Sequence, residues 1–385
     1  MSESRAASGW IVSPRYDLPW FFGGALASVA AIGLVFAARV PIVVLYWIWL
    51  LAFDGPHIGA AFTRTYLDRD EWRTRRRVLL VSLLAFAVGP VFLTANLATG
   101  TTEPFQLYLG LATLYGYYHV VRQHYGFLAL YKARTKDADR IDFHVDRAFL
   151  YASCWAPYAY FILTHPRARV LLRLAPDGPN GGLEKAAVAA TLVVWGAATL
   201  AFLVRLLPRL GERLRRPHVP YLIVTAALYA VTYLVVGRYE PVYAASRGPD
   251  QDFLLIQILV TLPHNVQYLG LVWFHNRNRY GSAEGDPGPA RAVNRTPARY
   301  LAACLAFSGV VYFLSAASTG VFPGIQFFLE AKVGPFTANQ LALCAWWGLA
   351  FNHYYLDQKI WRIRGDDRLK RALGFPSTAT SSSPP

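Results

Sequence analysis

Long apolar runs separated by short basic loops constrain this chain more than any other feature. About 20 consecutive apolar residues cross a bilayer as a helix. Ten such runs lie at 18–38, 41–62, 78–98, 106–131, 148–165, 186–207, 220–237, 253–274, 300–317 and 336–360. Composition agrees, because 55% hydrophobic and only 16% charged residues are typical of membrane proteins. The pattern predicts an all-α, polytopic membrane helix bundle of about ten transmembrane helices.

The loop charges predict how this bundle is oriented. Lys and Arg cluster at 63–77, at 132–147, after residue 207, at 275–299 and at the C-terminal end. The alternate connections are poorer in basic residues, with 166–185 as the exception. By the positive-inside rule, basic loops stay in the cytoplasm. Both termini are therefore expected to be cytoplasmic, in a multi-pass protein of the bacterial cytoplasmic membrane.

This topology also predicts the domains and excludes one class of partner. We expect a cytoplasmic segment 1–17, a single transmembrane domain 18–364, and a cytoplasmic tail 365–385 whose Ser/Thr/Pro-rich end is disordered. The net charge of +15 resides in short loops, where membrane topology explains it. Nucleic-acid binding is therefore not expected.

Histidines within the apolar runs indicate a functional site. Ionisable side chains at membrane depth are costly and usually face a bundle interior or a cavity. The predicted topology places five of them in the cytoplasmic half, about 16 to 27 Å below the outer ends of their helices. These five candidate metal ligands are His57, His119, His124, His264 and His353. Their shared depth on four helices predicts one metal site.

Three charged residues beside these histidines are candidate catalytic groups. Asp54 precedes His57 by three residues, and Pro56 between them is expected to kink the helix. Asp357 follows His353 by one turn, so it could accept a hydrogen bond from the imidazole or bind the metal itself. Arg122 could pair with Asp54 or bind the anionic head group of a substrate.

The spacing of His119 and His124 limits what both can do. Five residues on an ideal helix turn the two rings about 140° apart, so both cannot face one metal squarely. Either the helix bulges, or one histidine binds and the other serves elsewhere. The remaining histidines, His144, His165 and His218, are expected to lie at the surface, with His275 at the membrane interface.

Imidazole and carboxylate ligands without thiolate suit iron, manganese, zinc or copper. Ferrous iron is the first choice, because neutral histidines in an apolar enclosure suit oxygen chemistry on a lipophilic substrate. Cys154, Cys304 and Cys344 are isolated in apolar segments and are interpreted as small core residues.

Two family resemblances follow from these motifs. His119-x₄-His124 resembles the first histidine box of the integral-membrane desaturases and hydroxylases, although the later His-x-x-His-His boxes are missing. Leu262-Pro263-His264 and Pro56-His57 resemble a motif of the membrane carotene-cleaving dioxygenases of the Brp and Blh group, although Asn follows His264 instead of Gly. The second resemblance implies a ferrous site that cleaves or oxidises an isoprenoid.

The sequence thus predicts a membrane non-haem iron oxygenase that acts on a lipophilic substrate such as an isoprenoid, a carotenoid or a lipid. Its expected partners are the bilayer, a hydrophobic small molecule and O₂. A redox partner is a further candidate. Two alternatives stay open. One is a multi-pass transporter that uses buried histidines for proton or metal coupling. The other is a haem or quinone electron-transfer protein.

Overall fold

The structure is a computed structural model that describes residues 9–135, 139–171, 174–239, 253–281, 285–317 and 331–376. The described residues are mostly helical, with one antiparallel pair of two-residue strands, β1 (Lys332–Val333) and β2 (Phe336–Thr337). The helices are α1 (Pro14–Phe36), α2 (Ile42–Arg64), α3 (Arg69–Thr99), α4 (Glu103–Thr135), α5 (Arg140–Thr164), α6 (Pro166–Leu171), α7 (Gly182–Arg213), α8 (His218–Arg238), α9 (Leu254–Tyr280), α10 (Pro289–Val293), α11 (Pro297–Ala317), α12 (Ala338–Ile360) and α13 (Asp367–Ala372). The prediction of an all-α protein is confirmed at this level.

Each of the ten predicted apolar segments coincides with a helix. Among the described residues, six helices are long and apolar enough to cross a membrane, namely α1, α2, α3, α7, α8 and α9. The largest difference is at α3, which begins at Arg69 inside the predicted loop 63–77. It begins there because the Asp68 carboxylate accepts hydrogen bonds from the backbone N–H groups of Asp70 and Glu71. The full set of ten spans stays a prediction.

Contacts divide the chain into two compact units. Unit 1 comprises 1–46 and 120–264, and unit 2 comprises 47–119 and 265–385. Helix α4 changes unit after His119, and helix α9 changes unit after His264. The predicted single transmembrane domain 18–364 stays a prediction, and so does the cytoplasmic position of 1–17.

An ionic ladder at one end of unit 1 joins α5 to α7. Arg205 and Arg209 donate to the Asp142 carboxylate at 2.6 and 2.7 Å, and Arg213 donates to Asp146 at 2.8 Å. Asp142, Asp146 and Arg213 are fully buried. Burial alone would raise the pKa of Asp142, but the hydrogen bonds from Arg205 and Arg209 hold it below its ordinary value. Two of the basic residues after position 207, Arg209 and Arg213, are therefore paired with acids near the start of α5.

Close helix crossings in unit 2 depend on glycine. A Cβ atom added to Gly55 of α2 would lie 2.1 Å from the Ser308 hydroxyl of α11. One added to Gly89 of α3 would lie 2.9 Å from Cys344 of α12. Small residues at such crossings let membrane helices approach closely. Cys344 and the other two cysteines are buried and form no disulfide, as the prediction of small core residues requires.

Ion pairs also link the basic loops of unit 2. They join Arg279 to Asp70, Arg73 to Asp286, and Arg75 to Asp366. The predicted tail 365–385 contains helix α13, and Asp366 caps the N-terminus of this helix. The predicted disordered end, 377–385, lies outside the described residues, as do 240–252 and 318–330.

Candidate metal centre

A π-helical turn in α2 ends at Asp54, the first residue of the candidate pair Asp54 and His57. Residues Leu50–Asp54 are π-helical, and the α-helix resumes at Gly55–Pro56. The proline lacks an N–H group, so one regular helical hydrogen bond of the backbone is missing at this point. His57 Nδ1 lies 3.7 Å from Asp54 Oδ1, and both residues are buried. The kink expected at Pro56 stays a prediction, but the π-turn just before it is a feature often found at functional sites.

His353 of α12 is the most deeply buried member of the candidate site. Its side chain has no exposure, and neither ring nitrogen makes a hydrogen bond within the described part of the chain. Its Nε2 lies 3.4 Å from Asp357 Oδ2, one helical turn further along. A buried polar atom left without a hydrogen bond costs about 1 to 3 kcal/mol. A ligand for this imidazole would remove that cost.

His119 of α4 brings a second imidazole to the same carboxylate. Its Nε2 lies 3.7 Å from Asp357 Oδ2, and its ring centroid is 5.1 Å from that of His353. One ligand atom each from His119, His353 and Asp357 lies within 4.8 Å of the other two. The His57 ring stands 4.8 Å from the His353 ring, nearly perpendicular to it. Unit 2 therefore brings three of the five predicted histidines together with Asp54 and Asp357.

Tyr268 of α9 fixes the other oxygen of the carboxylate. Its hydroxyl donates to Asp357 Oδ1 at 2.6 Å, and its ring meets His353 edge-on at 5.1 Å. Oδ2 is the oxygen that faces both imidazoles. The sequence showed that Tyr268 lies one turn after His264, but that spacing did not reveal its partner. The partner is 89 positions away in the chain.

Aromatic residues line one side of this histidine group. The Tyr354 ring stacks on His119 at 4.2 Å and meets Tyr115 at 5.6 Å. The hydroxyl of Tyr354 reaches the backbone at Gly116, where an added Cβ would lie 3.0 Å from it. His119 is therefore held between an aromatic face and the Asp357 carboxylate.

These donors fit a transition metal. Two imidazoles and one carboxylate oxygen converge without thiolate, a set that suits iron, manganese, zinc or copper. Tyr268 supplies the hydrogen bond that ligating carboxylates usually receive. Three protein ligands would leave coordination positions open for a small molecule.

The other candidate site residues belong to unit 1. His124 Nδ1 lies 2.8 Å from the Tyr221 hydroxyl, and its ring meets Tyr229 at 5.7 Å. Arg122 donates to the Tyr151 hydroxyl at 2.7 Å. His264 is buried, and its backbone carbonyl accepts a hydrogen bond from Gln123 at 2.8 Å. Their roles in catalysis and metal binding stay predictions.

Two expectations for the remaining histidines are wrong. His218 is fully buried, with Nε2 3.6 Å from Asp146, and His165 is buried and stacks on Phe161 at 4.7 Å. Both lie at helix ends, where the sequence suggested loops. His218 packs beside Asp146 of α5, and His165 packs on Phe161, one turn earlier in the chain. His144 is exposed as expected, while His275 is buried beside Asn276.

Comparison with protein-family models, with curated proteins and with solved structures gave no match for this chain.

Proposed function

We propose that the protein is an integral-membrane, metal-dependent oxygenase that acts on a lipophilic substrate. One observation carries the proposal. His353 is wholly buried, makes no hydrogen bond within the described part of the chain, and lies beside Asp357, His119 and His57. A membrane-spanning chain holds such a group at a cost, and a metal ion accounts for it.

In this proposal His119, His353 and Asp357 bind the ion, and His57 stands ready as a further ligand. Iron(II) is the proposed metal, and when bound it would supply open positions for O₂ and one-electron chemistry. Tyr268 holds Asp357 Oδ1, so that Oδ2 stays directed at the imidazoles. Asp54 faces Nδ1 of His57 and orients that ring. His264 as a ligand and Arg122 as a substrate-binding cation remain predictions.

The proposed setting is a ten-helix bundle with both termini in the cytoplasm. The ion pairs support it, because loops assigned to the cytoplasm contact one another within each unit. In unit 1, Arg209 pairs with Asp142 and Arg213 pairs with Asp146. In unit 2, Arg279 pairs with Asp70. The metal group then lies in the cytoplasmic half of the bilayer, where the aromatic residues around Tyr354 would contact the lipophilic substrate.

Metal analysis of the purified, detergent-solubilised protein tests the metal site. We expect bound iron in the wild type and none in a His119→Ala/His353→Ala double variant. His144→Ala, which alters an exposed histidine, is the control and should keep the metal. A wild type without any transition metal would refute the site, and so would a double variant that keeps its full metal content.

Oxygen uptake tests the reaction class separately. Iron-loaded protein in lipid vesicles should consume O₂ when the membrane contains a lipid extract with unsaturated isoprenoids, and the double variant should not. If metal is bound but the wild type consumes no more O₂ than the double variant, the metal site stands and the oxygenase assignment fails.

A further inference from the structure

Helix α8 of unit 1 carries a polar stripe on its buried side. Five residues with hydroxyl groups follow one another along it, within about 120° of an ideal helix. They are Tyr221, Thr225, Tyr229, Thr232 and Tyr233, and none is more than 4% exposed. The opposite side is apolar and exposed, as shown by Val224, Val231 and Val235.

This arrangement is the reverse of a soluble helix. Hydroxyl groups inside a membrane span face the protein interior because lipid cannot hydrogen-bond to them. Where ionisable side chains join such hydroxyl groups at membrane depth, they commonly mark paths for ions or protons. The stripe from Tyr221 to Tyr233 extends about 18 Å along the helix axis, which is more than half of a bilayer's hydrocarbon thickness.

Titratable groups from other elements of unit 1 contact this stripe one after another along α8. At one end, the Tyr131 side chain interacts with the Asp17 carboxylate, and its ring centroid is 5.6 Å from that of Tyr221. Asp17 has no exposure. Next, the Tyr221 hydroxyl lies 2.8 Å from His124 Nδ1. The series therefore starts with a carboxyl group and leads to an imidazole.

The series continues from His124 toward the other end of α8. The His124 ring meets Tyr229 at 5.7 Å, and Tyr229 lies beside Cys154. Beyond it, Tyr233 contacts Tyr158 at 5.6 Å. The ring centroids of Tyr229 and Tyr233 are 6.4 Å apart, so this row of side chains continues to Tyr158. Water molecules could bridge the steps between its polar atoms.

Two atoms of the row point to such water. Within the described part of the chain, His124 Nε2 and Thr232 Oγ1 are buried and make no hydrogen bond. Buried polar groups of this kind are usually satisfied by internal water. His124 would then be bonded on both sides, to Tyr221 through Nδ1 and to water through Nε2.

We propose that unit 1 contains a hydrated polar path along α8 that carries protons between the Asp17 end and the Tyr233 end, with His124 as its central relay. An imidazole passes a proton when one ring nitrogen gains a proton and the other releases one. Only O–H and N–H bonds form and break, so no oxidant or reductant is needed. This role for His124 differs from the metal ligation predicted from the sequence, and it does not depend on the metal site of unit 2.

Proton flux into vesicles tests the path. Full-length protein is reconstituted into liposomes that contain a pH-sensitive dye, and valinomycin with a potassium gradient supplies the driving force. We expect the wild type to change the internal pH faster than protein-free liposomes. His124→Phe should slow this flux at least about tenfold, because a positioned proton-transfer group contributes no less than that.

Two further variants keep the test decisive. Tyr221→Phe removes only one hydroxyl group, so it should fold and still slow the flux, even if His124→Phe does not fold. His144→Phe makes the same substitution at an exposed histidine and should conduct like the wild type. A wild type no faster than protein-free liposomes overturns the proposal. So does a folded His124→Phe or Tyr221→Phe variant whose flux falls less than about tenfold.

Discussion

At the scale of single residues, the candidate metal site is organised around the two oxygens of Asp357. One oxygen accepts from Tyr268 at 2.6 Å, and the other faces His119 and His353. The hydrogen bond from Tyr268 restrains rotation of the carboxylate. Oδ2 therefore stays in position to bind the same metal ion as the two imidazoles. Tyr268 is therefore a positioning residue in the proposed site.

Replacing Tyr268 with Phe should weaken the site without destroying it. Loss of a hydrogen bond to a ligating carboxylate typically lowers metal affinity by about 10- to 100-fold. We expect this loss in competition titrations of the apoprotein with a metal-binding dye. Tyr118→Phe removes the hydroxyl of an exposed tyrosine and should leave the affinity unchanged. Equal affinity for Tyr268→Phe and the wild type would contradict the positioning role.

Sequence periodicity anticipated part of this geometry. The angle of about 140° between His119 and His124 predicted that one metal could not use both squarely. In the structure His119 belongs to the unit 2 group, while His124 contacts Tyr221 in unit 1. Periodicity could not identify Tyr268 as the partner of Asp357, or Asp146 as the partner of His218. Those contacts depend on which helices pack together.

At the scale of the elements, helix contacts depend on the absence of single side chains. Gly89→Ala places a methyl group 2.9 Å from Cys344, so α3 and α12 must separate. Overpacking of this kind costs about 1 to 3 kcal/mol, and thermal unfolding in detergent should show a lower Tm. Gly196→Ala in α7 meets nothing within 4 Å, and alanine favours a helix over glycine. Its Tm should therefore be unchanged or higher, and a lowered Tm in both variants would argue against the crossing.

The ionic ladder between α5 and α7 should make the stability of unit 1 depend on pH. The arginines hold the pKa of Asp142 below its ordinary value, so its stabilising effect is complete above about pH 4 and is lost as the pH falls through the lowered value. Asp142→Asn should therefore lower the Tm at neutral pH. The difference from the wild type should shrink steadily under more acidic conditions. A difference that stays constant down to about pH 2 would contradict this account.

Local signals in the sequence explain most element boundaries. Apolar runs located the helices, and basic residues located their ends. The start of α3 was missed because its first turns carry charged residues that resemble a loop. The N-cap Asp68 stabilises that charged stretch as a helix. So do the ion pairs of Asp70 with Arg279 and of Arg75 with Asp366, which join residues more than 200 positions apart.

At the scale of the whole molecule, the proposed topology assigns each loop to one side of the membrane. Thr101 and Arg76 are both exposed, but the topology places them on opposite sides. A membrane-impermeant thiol reagent should label a Thr101→Cys variant in intact cells. It should label Arg76→Cys only after lysis. The three native cysteines are buried, so the wild type provides the unlabelled background. Equal labelling of both variants in intact cells would contradict the topology.

The π-turn at Leu50–Asp54 amounts to one surplus residue in an otherwise regular helix. The wide turn takes up this residue locally, so the α-helical segments on either side keep their facing. Deleting Ala52 would therefore restore regular hydrogen bonding while the upstream residues keep nearly the same faces, whereas a deletion in a regular part of α2 would rotate them by about 100° relative to His57. The π-turn is thus the one stretch of α2 in which the helix can lose a residue and still present the same side chains to the same neighbours.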